Sequence, residues 1–113
     1  MEPQLLLEIG TAARMLEQAE VTTAFLRAIS HPARLVILCR LAEGPANVGD
    51  LEAFTGLPQA EVSKHLARLR ADGLVAAERL GRARTYALTD MRASRIMRTL
   101  YCEFCAPESD QLV

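Results

Sequence analysis

The 113-residue sequence predicts a mainly helical domain that carries one small β-hairpin. Two observations support this fold class. Apolar residues recur at helical spacing in several stretches, with polar segments between them. Two short strand-like segments flank a basic turn near residue 81. No repeat divides the chain, so we expect a single domain over residues 1–113, with flexible ends at about 1–8 and 107–113.

The first two helices are predicted from apolar spacing and a proline. A helical pattern runs from about Ile9 to Ile29. Its recurring members are Ala12, Leu16, Ala19, Thr23 and Leu26. Ser30-His31-Pro32 follows and fits the start of a new helix, because the missing N–H of proline costs nothing in a first turn. The second helix, at about 32–42, is apolar on almost every side, which predicts a central position.

Two further helices are separated by a short turn. Asn47 and Asp50 resemble a capping box that opens a short helix, and Gly56 closes it. Pro58 starts the next helix, which runs to Asp72. Its apolar stripe consists of Val62, Leu66 and Leu69. The opposite face carries Ala60, Lys64, Ala67 and Arg68, with Ser63 at its flank.

Two strands and a last helix complete the chain. The strands are predicted at Leu74–Glu78 and Thr85–Leu88, and the turn between them, Arg79–Arg84, has a basic tip. Thr89-Asp90 caps a final helix that extends to about Cys105. A helix–turn–helix followed by a basic hairpin predicts a winged helix–turn–helix, because a recognition helix and a wing must reach a DNA duplex together.

The distribution of charge favours nucleic-acid binding by one part of the chain. The formal net charge is −1. Residues 1–57 carry four basic and seven acidic side chains, whereas residues 58–86 carry six basic and three acidic ones. Phosphate binding needs a local positive surface and not a positive whole molecule. The alternative interpretation is an ordinary amphipathic helix with a solvated charged face.

Neither membrane insertion nor secretion is indicated. No run approaches the roughly 18 apolar residues that a membrane span needs. The start, Met1-Glu2-Pro3-Gln4, has neither the basic segment nor the cleavage site of a signal peptide. We therefore expect a cytoplasmic location, where stable disulfides are rare and thiols more often bind metals, catalyse reactions or sense oxidants. The odd number of cysteines, Cys39, Cys102 and Cys105, also argues against simple disulfide pairing.

Two stretches of the chain resemble a known family. Ser30–Cys39, SHPARLVILC, is similar to the second helix of ArsR-type bacterial transcriptional regulators. Leu57–Arg70, LPQAEVSKHLARLR, followed by Asp72–Val75, DGLV, is similar to their recognition helix and the start of their wing. The resemblance covers about residues 20–105. It implies a homodimer joined through the first and last helices and bound to a palindromic operator of double-stranded DNA as a repressor.

The resemblance also assigns the expected DNA contacts. Gln59 and Ser63 are able to hydrogen-bond base edges, with Lys64 beside them at the groove. His65 and Arg68 are expected to contact phosphates, which supply affinity and carry no sequence information. In the wing, the expected contacts to the DNA backbone or the minor groove are Arg82 and Arg84.

Most members of the family are known as metal sensors, but their metal motifs are not found here. The thiolate motif of the third helix would place cysteines around Val48–Leu51, which contains none. The zinc site of the last helix needs an aspartate, two histidines and a glutamate. Asp90 is present, but Arg92 occupies a histidine position. With His31 and His65 as the sole histidines, we expect neither a zinc site nor a cofactor.

The thiols instead resemble the dithiol branch of the family, which responds to persulfides and other reactive sulfur species. The resemblance maps the sensing pair onto Cys39 and Cys105. Helical geometry also favours Cys105, because it lies beside an apolar arc whose centre is formed by Ile96, Leu100 and Phe104. Cys102 projects toward the side of Arg95 and Arg98 and is expected to be more exposed. One thiolate would attack a sulfane sulfur, and the second would close a disulfide or polysulfide bridge that weakens DNA binding.

Several alternatives stay open on the sequence alone. The thiolates of Cys39, Cys102 and Cys105 could together bind arsenite or another soft metal. A Cys-x-x-Cys thiol oxidoreductase is a weaker alternative, because that motif belongs at a helix N-terminus and here ends a helix. A lone Cys39 on an apolar helix is often a small core residue. A dimerisation module without DNA binding would leave the basic helix and wing unexplained.

Overall fold

The structure, a computed structural model, describes residues 9–106 of the chain. Within these residues the chain forms five helices and one antiparallel hairpin. The elements are α1 (Ile9–Ile29), α2 (Pro32–Leu41), α3 (Val48–Thr55), α4 (Gln59–Ala71), β1 (Val75–Leu80), β2 (Ala83–Leu88) and α5 (Met91–Phe104). The predicted mainly helical fold with a small hairpin is therefore confirmed. The predicted flexible ends, 1–8 and 107–113, lie outside the described residues.

Helix α2 occupies the centre of the domain, as its apolar sequence predicts. It packs against α1, α3, α4, β2 and α5. Ile37, Leu38 and Leu41 of this helix are buried, whereas Val36 is exposed. The largest buried side chains of the other elements are Leu51, Val62, Leu66, Leu69 and Met97. Burying one such aliphatic side chain contributes about 1.5–3 kcal/mol, so this cluster holds both α4 and α5 against α2.

The helix starts and turns follow the local sequence. Pro32 occupies the first turn of α2, and the N-cap is His31, whose Nδ1 accepts a hydrogen bond from the N–H of Ala33 at 3.1 Å. At the start of α3 the capping box is formed in both directions, with Asn47 and Asp50 exchanging hydrogen bonds of 2.7 and 3.0 Å. Gly56 ends α3 with a φ of 74°, which turns the chain into α4.

The capping box makes a testable contribution to stability. Replacing Asn47 by alanine removes the acceptor for the N–H of Asp50, so we expect the free energy of unfolding to fall by about 1 kcal/mol. Urea unfolding followed by circular dichroism measures this loss. Asn47→Ser retains an N-cap acceptor and should restore most of the stability. Equal losses in both variants would contradict the capping role.

The hairpin is longer and its turn is tighter than predicted. Strand pairing extends from Val75↔Leu88 to Leu80↔Ala83, which leaves a two-residue turn in place of the predicted six-residue turn. Gly81 has a φ of 64°, the left-handed conformation that two-residue hairpin turns require. At the other end of β2, Tyr86 exchanges backbone hydrogen bonds of 2.8 and 3.0 Å with Ala46. The hairpin is therefore anchored at its base to the loop between α2 and α3.

Helix α1 leaves most of its surface uncovered in the single chain. Ala28 is buried near its end, and Phe25 and Ile29 pack partly against the core. The recurring apolar residues of the predicted pattern do not face this core, and Leu16 is 78% exposed. Among the residues that the structure describes, no helix is both long and apolar enough to cross a membrane.

Candidate nucleic-acid interface and thiol pair

One face of α4 is exposed over its whole length. Its inner face is held in the core by Val62, Leu66 and Leu69, as the apolar stripe predicts. The exposed residues of the opposite face include four of the predicted DNA contacts, Gln59, Ser63, Lys64 and Arg68. These four side chains stand on one rigid helix, so they can meet a groove together.

The two cations of this face have acidic neighbours on their own helix or at its end. Lys64 Nζ lies 3.3 Å from Glu61 Oε2. Arg68 Nε donates to Asp72 Oδ2 at 2.9 Å. Exposed pairs of this kind contribute at most about 1 kcal/mol, so a phosphate can compete for either cation.

The structure buries His65, although the sequence predicts a phosphate contact for this residue. The residue is only 4% exposed, because it lies three positions after Val62 and four before Leu69 and therefore shares their inner face. Its ring packs against the ring of His31, with 4.5 Å between centroids. Nε2 of His65 lies 3.5 Å from Glu61 Oε2 at the edge of the core. A buried ring in this position supports the recognition helix from behind and does not belong to its exposed face.

The wing carries a cluster of exposed arginines at its tip. Arg82 lies in the turn, and Arg84 of β2 stands directly opposite Arg79 of β1. The Arg84 guanidinium lies 5.7 Å from the centroid of the Tyr86 ring, which orients it. Like charges directly opposite each other destabilise a strand pair, so an anion at the tip would relieve this repulsion. Arg79 is therefore a further candidate contact, which becomes visible only when the strand register is known.

The recognition helix and the wing belong to one packed unit. Helix α4 packs against β1, which follows it through the turn at Gly73. Thr89, at the end of β2, closes this unit by donating its hydroxyl to the Gly73 carbonyl at 2.7 Å and its N–H to the Leu74 carbonyl at 3.1 Å. The exposed face of α4 and the arginines of the wing are thereby held at a fixed separation.

The three cysteines are in the thiol form. Cys39 of α2 is half-buried and packs against the core, whereas Cys102 and Cys105 at the end of α5 are both exposed. Helical geometry predicts that Cys102 is more exposed than Cys105. In the single chain both side chains are exposed, so exposure does not distinguish the two thiols. Helix α5 ends at Phe104, and Cys105 follows as its C-cap.

Charge on Cys105 affects the pKa of the Cys39 thiol. Burial raises the pKa of the Cys39 thiol above its ordinary value, and negative charge on Cys105 and then on Glu43 raises it further. Cys105 therefore lies close enough for its charge to act on Cys39, which agrees with the packing of α5 against α2. Within residues 9–106, no three histidine, cysteine, aspartate or glutamate side chains are grouped so that they could hold a metal ion.

Comparison with known proteins places this arrangement in a family. The profile of the family described as "Bacterial regulatory protein, arsR family" matches residues 31–77, which span α2 to the first half of β1. The chain is also 38% identical over 96 residues to the biofilm growth-associated repressor of Agrobacterium fabrum, covering 85% of this chain and 82% of that protein. The chain belongs to the ArsR family of bacterial regulatory proteins. The resemblance of Ser30–Cys39 and Leu57–Arg70 is thereby confirmed at the level of the family.

Two solved structures share the fold. The transcriptional repressor BigR from Xylella fastidiosa matches with a TM-score of 0.78 and 35% identity, over 85% of this chain and 98% of that chain. The cadmium sensor CmtR from Mycobacterium tuberculosis matches with a TM-score of 0.63 and 39% identity, over 70% and 81% of the two chains. This ArsR-family chain is thus a winged-helix transcriptional regulator, and the alternative of a thiol oxidoreductase is not supported.

Proposed function

We propose that this chain is a homodimeric repressor that releases its operator when reactive sulfur species bridge Cys39 and Cys105. The observation that supports the proposal is the packing of α5 against α2, together with the effect of charge on Cys105 in raising the pKa of the Cys39 thiol. The similarity to the biofilm growth-associated repressor and to BigR supports the repressor role.

DNA binding is assigned to the exposed face of α4 and to the wing. Gln59 and Ser63 carry no charge and can read base edges through their amide and hydroxyl groups. Lys64 and Arg68 have exposed cationic ends that suit phosphates. In the wing, the arginines that suit the DNA backbone or the minor groove are Arg79, Arg82 and Arg84.

Removing single cations from this surface should weaken DNA binding. We expect Lys64→Ala and Arg82→Ala each to lower the affinity at least about tenfold, because each removes a charge-assisted phosphate contact. A dimer presents each side chain twice, so the slope of log affinity against log salt should fall by about 2. Fluorescence anisotropy at several salt concentrations measures both quantities. Arg95→Ala, which removes an exposed arginine of α5, is the matched control and should change neither.

The homodimer is assigned to the uncovered apolar surfaces of α1 and α5. Leu16 of α1 is 78% exposed and Phe104 of α5 is 80% exposed. A groove of about 490 Å³ lies between the two helices, lined in part by Val21, Phe25 and Ile96. Apolar side chains exposed to this extent on two neighbouring helices favour burial against a second copy of the chain. Two copies would present two recognition helices to the two halves of a palindrome.

The sulfur chemistry begins at the exposed thiol. The Cys105 thiolate attacks the outer sulfur of a persulfide, RSSH, and receives it as Cys105–S–SH, while RS⁻ leaves. The Cys39 thiolate then attacks the inner sulfur of this group, and the Cys39–Cys105 disulfide forms with release of HS⁻. The two thiols lose two electrons, and the transferred sulfur is reduced to hydrosulfide. When Cys39 is also persulfidated, its outer sulfur makes the attack and the bridge contains three sulfur atoms.

The order of these steps follows from exposure and acidity. Cys105 is open to a dissolved persulfide, whereas Cys39 is half-buried and its raised pKa disfavours the thiolate that would attack first. Cys39 therefore acts second, against a sulfur that is already held nearby by Cys105.

The bridge would act on DNA through α2. This helix packs against α4 on one side and against α5 on another. A covalent link between Cys39 and Cys105 favours one arrangement of α2 relative to α5, and with it one spacing between the recognition helices of a dimer. If that spacing differs from the spacing of the operator half-sites, oxidation lowers the affinity by linkage.

The experiment that tests this function compares two inducers on one DNA probe. A duplex of about 30 base pairs, selected from a random pool by the reduced protein at pH 7.5, is bound and then challenged with glutathione persulfide or with sodium arsenite. We expect release by glutathione persulfide in both the native chain and Cys102→Ser. If arsenite releases DNA from the native chain but not from Cys102→Ser, the result would instead support a soft-metal sensor that uses all three thiols.

A further inference from the structure

The two histidines of this chain form a stacked pair between α2 and the recognition helix. The His31 ring lies just before α2, and its centroid is 4.5 Å from that of the His65 ring, with 44° between the ring planes. His65 is buried in the middle of α4. His31 also caps α2, because its Nδ1 accepts the hydrogen bond from the N–H of Ala33. One pair of rings thus connects the first turn of α2 to the back of the recognition helix.

The same turn is tied to the end of α1. Arg34 Nε donates to the Ala28 carbonyl at 2.6 Å, and its Nη2 lies 3.4 Å from the Arg27 carbonyl. Since carbonyls at a helix C-terminus have no partner within the helix, this arginine closes α1 against the start of α2. Contacts therefore run from α1 through the α1–α2 turn to α4.

Protonation of His31 is incompatible with its contact to Ala33. A neutral imidazole that accepts at Nδ1 carries its proton on Nε2. An imidazolium has protons on both nitrogens and no acceptor left, so the cap of α2 would be lost.

Protonation of His65 is opposed by its surroundings. Burial lowers the pKa of His65 most, and His31 and Lys64 lower it further. Arg34 adds to this effect from α2, and Glu61 opposes it from its own helix at 3.5 Å. An imidazolium would find the carboxylate only at the outer edge of the core, away from the His31 ring.

We propose that His31 and His65 are positioning residues that make DNA binding sensitive to acid, because protonation breaks their stack and frees α4 from the α1–α2 turn. This inference rests on the proposed role of α4 in DNA binding. It adds a second input, pH, that acts on the same helix independently of the thiols.

The direction in which DNA affinity changes in acid distinguishes this role from a direct contact between a histidine and phosphate. An exposed histidine on a DNA-binding face gains positive charge in acid and raises the affinity for phosphates. The stacked pair predicts the opposite change. Because the folded state favours neutral His65, the stabilisation it contributes is fully present above the ordinary histidine pKa of about 6.5 and is lost as pH falls through the lower folded pKa. The sequence contains two histidines, and both belong to this pair.

The test measures affinity for the selected 30-base-pair duplex between pH 7.5 and 5.5, at constant ionic strength and in reductant. We expect the native chain to lose affinity about fivefold or more across this range, while circular dichroism shows that it stays folded. His31→Asn keeps an acceptor for the cap but cannot be protonated, so its loss of affinity in acid should be clearly smaller than that of the native chain. His65→Gln should also lose less affinity, and the His31→Asn/His65→Gln double variant, which has no histidine, should have a flat profile.

A variant of Glu61 tests whether the protonation of His65 itself sets the pH at which DNA affinity is lost. Glu61→Gln removes the carboxylate that favours the His65 imidazolium, so the pH at which affinity is lost should shift downward. Should His65→Gln fail to fold, His31→Asn and Glu61→Gln carry the test.

The outcomes separate this inference from the proposed function. A native affinity that is constant or rises in acid would overturn the inference and leave DNA binding intact. A native pH profile retained in His31→Asn would also overturn it. An absence of any binding to DNA at pH 7.5 would contradict the proposed function itself and the inference with it.

Discussion

Replacing Cys39 by serine is expected to abolish the loss of DNA affinity on persulfide treatment while leaving the reduced protein within about threefold of the native affinity. Allosteric coupling in proteins is typically worth about 5- to 150-fold in affinity, and the native chain should fall in this range when treated with glutathione persulfide. Cys39→Ser should change less than twofold, because Cys105 can accept a sulfur but has no thiol to close the bridge. Serine is close to cysteine in size and the position is only half-buried, so the fold should persist.

The two other cysteines provide the controls for this result. Cys105→Ser should also be unresponsive, because the exposed thiol that takes up the sulfur is gone. Cys102→Ser should respond like the native chain. Anisotropy titrations of the four proteins, each before and after persulfide, measure the effect. Normal release of DNA by Cys39→Ser would contradict the dithiol switch.

Replacing Leu16 by glutamate is expected to produce a monomer with more than about a hundredfold weaker DNA binding. Leu16 is 78% exposed on α1, and a carboxylate there would have to be buried in the proposed dimer contact. A monomer contacts one half-site only. It therefore loses the increase in affinity that comes from binding two half-sites at once, which is about 10²–10⁴-fold in linked systems.

Sedimentation analysis and anisotropy test this dimer contact together. Phe54→Glu is the matched control, because Phe54 of α3 is a large exposed apolar residue outside α1 and α5. This control should sediment like the native chain. A Leu16→Glu protein that stays dimeric and retains native affinity would show that α1 does not form the dimer contact.

The elements that local sequence determines were predictable within a few residues. The capping box of Asn47 and Asp50, the proline at the start of α2 and the left-handed Gly56 all act on their immediate neighbours. The buried stripe of α4 follows from helical periodicity, which does not depend on what the helix packs against.

The features that differ from the predictions depend in part on contacts between residues far apart in the chain. The burial of His65 needs a partner surface, and that surface is the ring of His31, which belongs to another turn. Helical spacing alone places His65 on the inner face with Val62 and Leu69, whereas its contact with the His31 ring follows only from the fold. The extended hairpin depends on the conformation of Gly81, and the pairing of Arg79 with Arg84 follows only from its register.

The prediction of the thiol pair rests on two separate arguments, the resemblance to the dithiol branch and the geometry of the helices. The assignment to Cys39 and Cys105 came from similarity to the dithiol branch, with helical geometry favouring Cys105. The packing of α5 against α2 then supplies an independent reason to pair these thiols, because Cys105 acts on the pKa of Cys39. Local sequence contains no signal for this packing, since Cys39 lies on α2 and Cys105 follows α5, with α3, α4 and the wing between them.

Tandem mass spectrometry of the persulfide-treated protein tests the dithiol switch most directly. The protein is treated with glutathione persulfide, its remaining thiols are alkylated, and it is digested without reductant. The predicted result is a cross-linked peptide pair that joins Cys39 to Cys105 through two or three sulfur atoms, with Cys102 alkylated. A bridge between Cys102 and Cys105, with Cys39 recovered as an alkylated thiol while DNA is released, would contradict the switch.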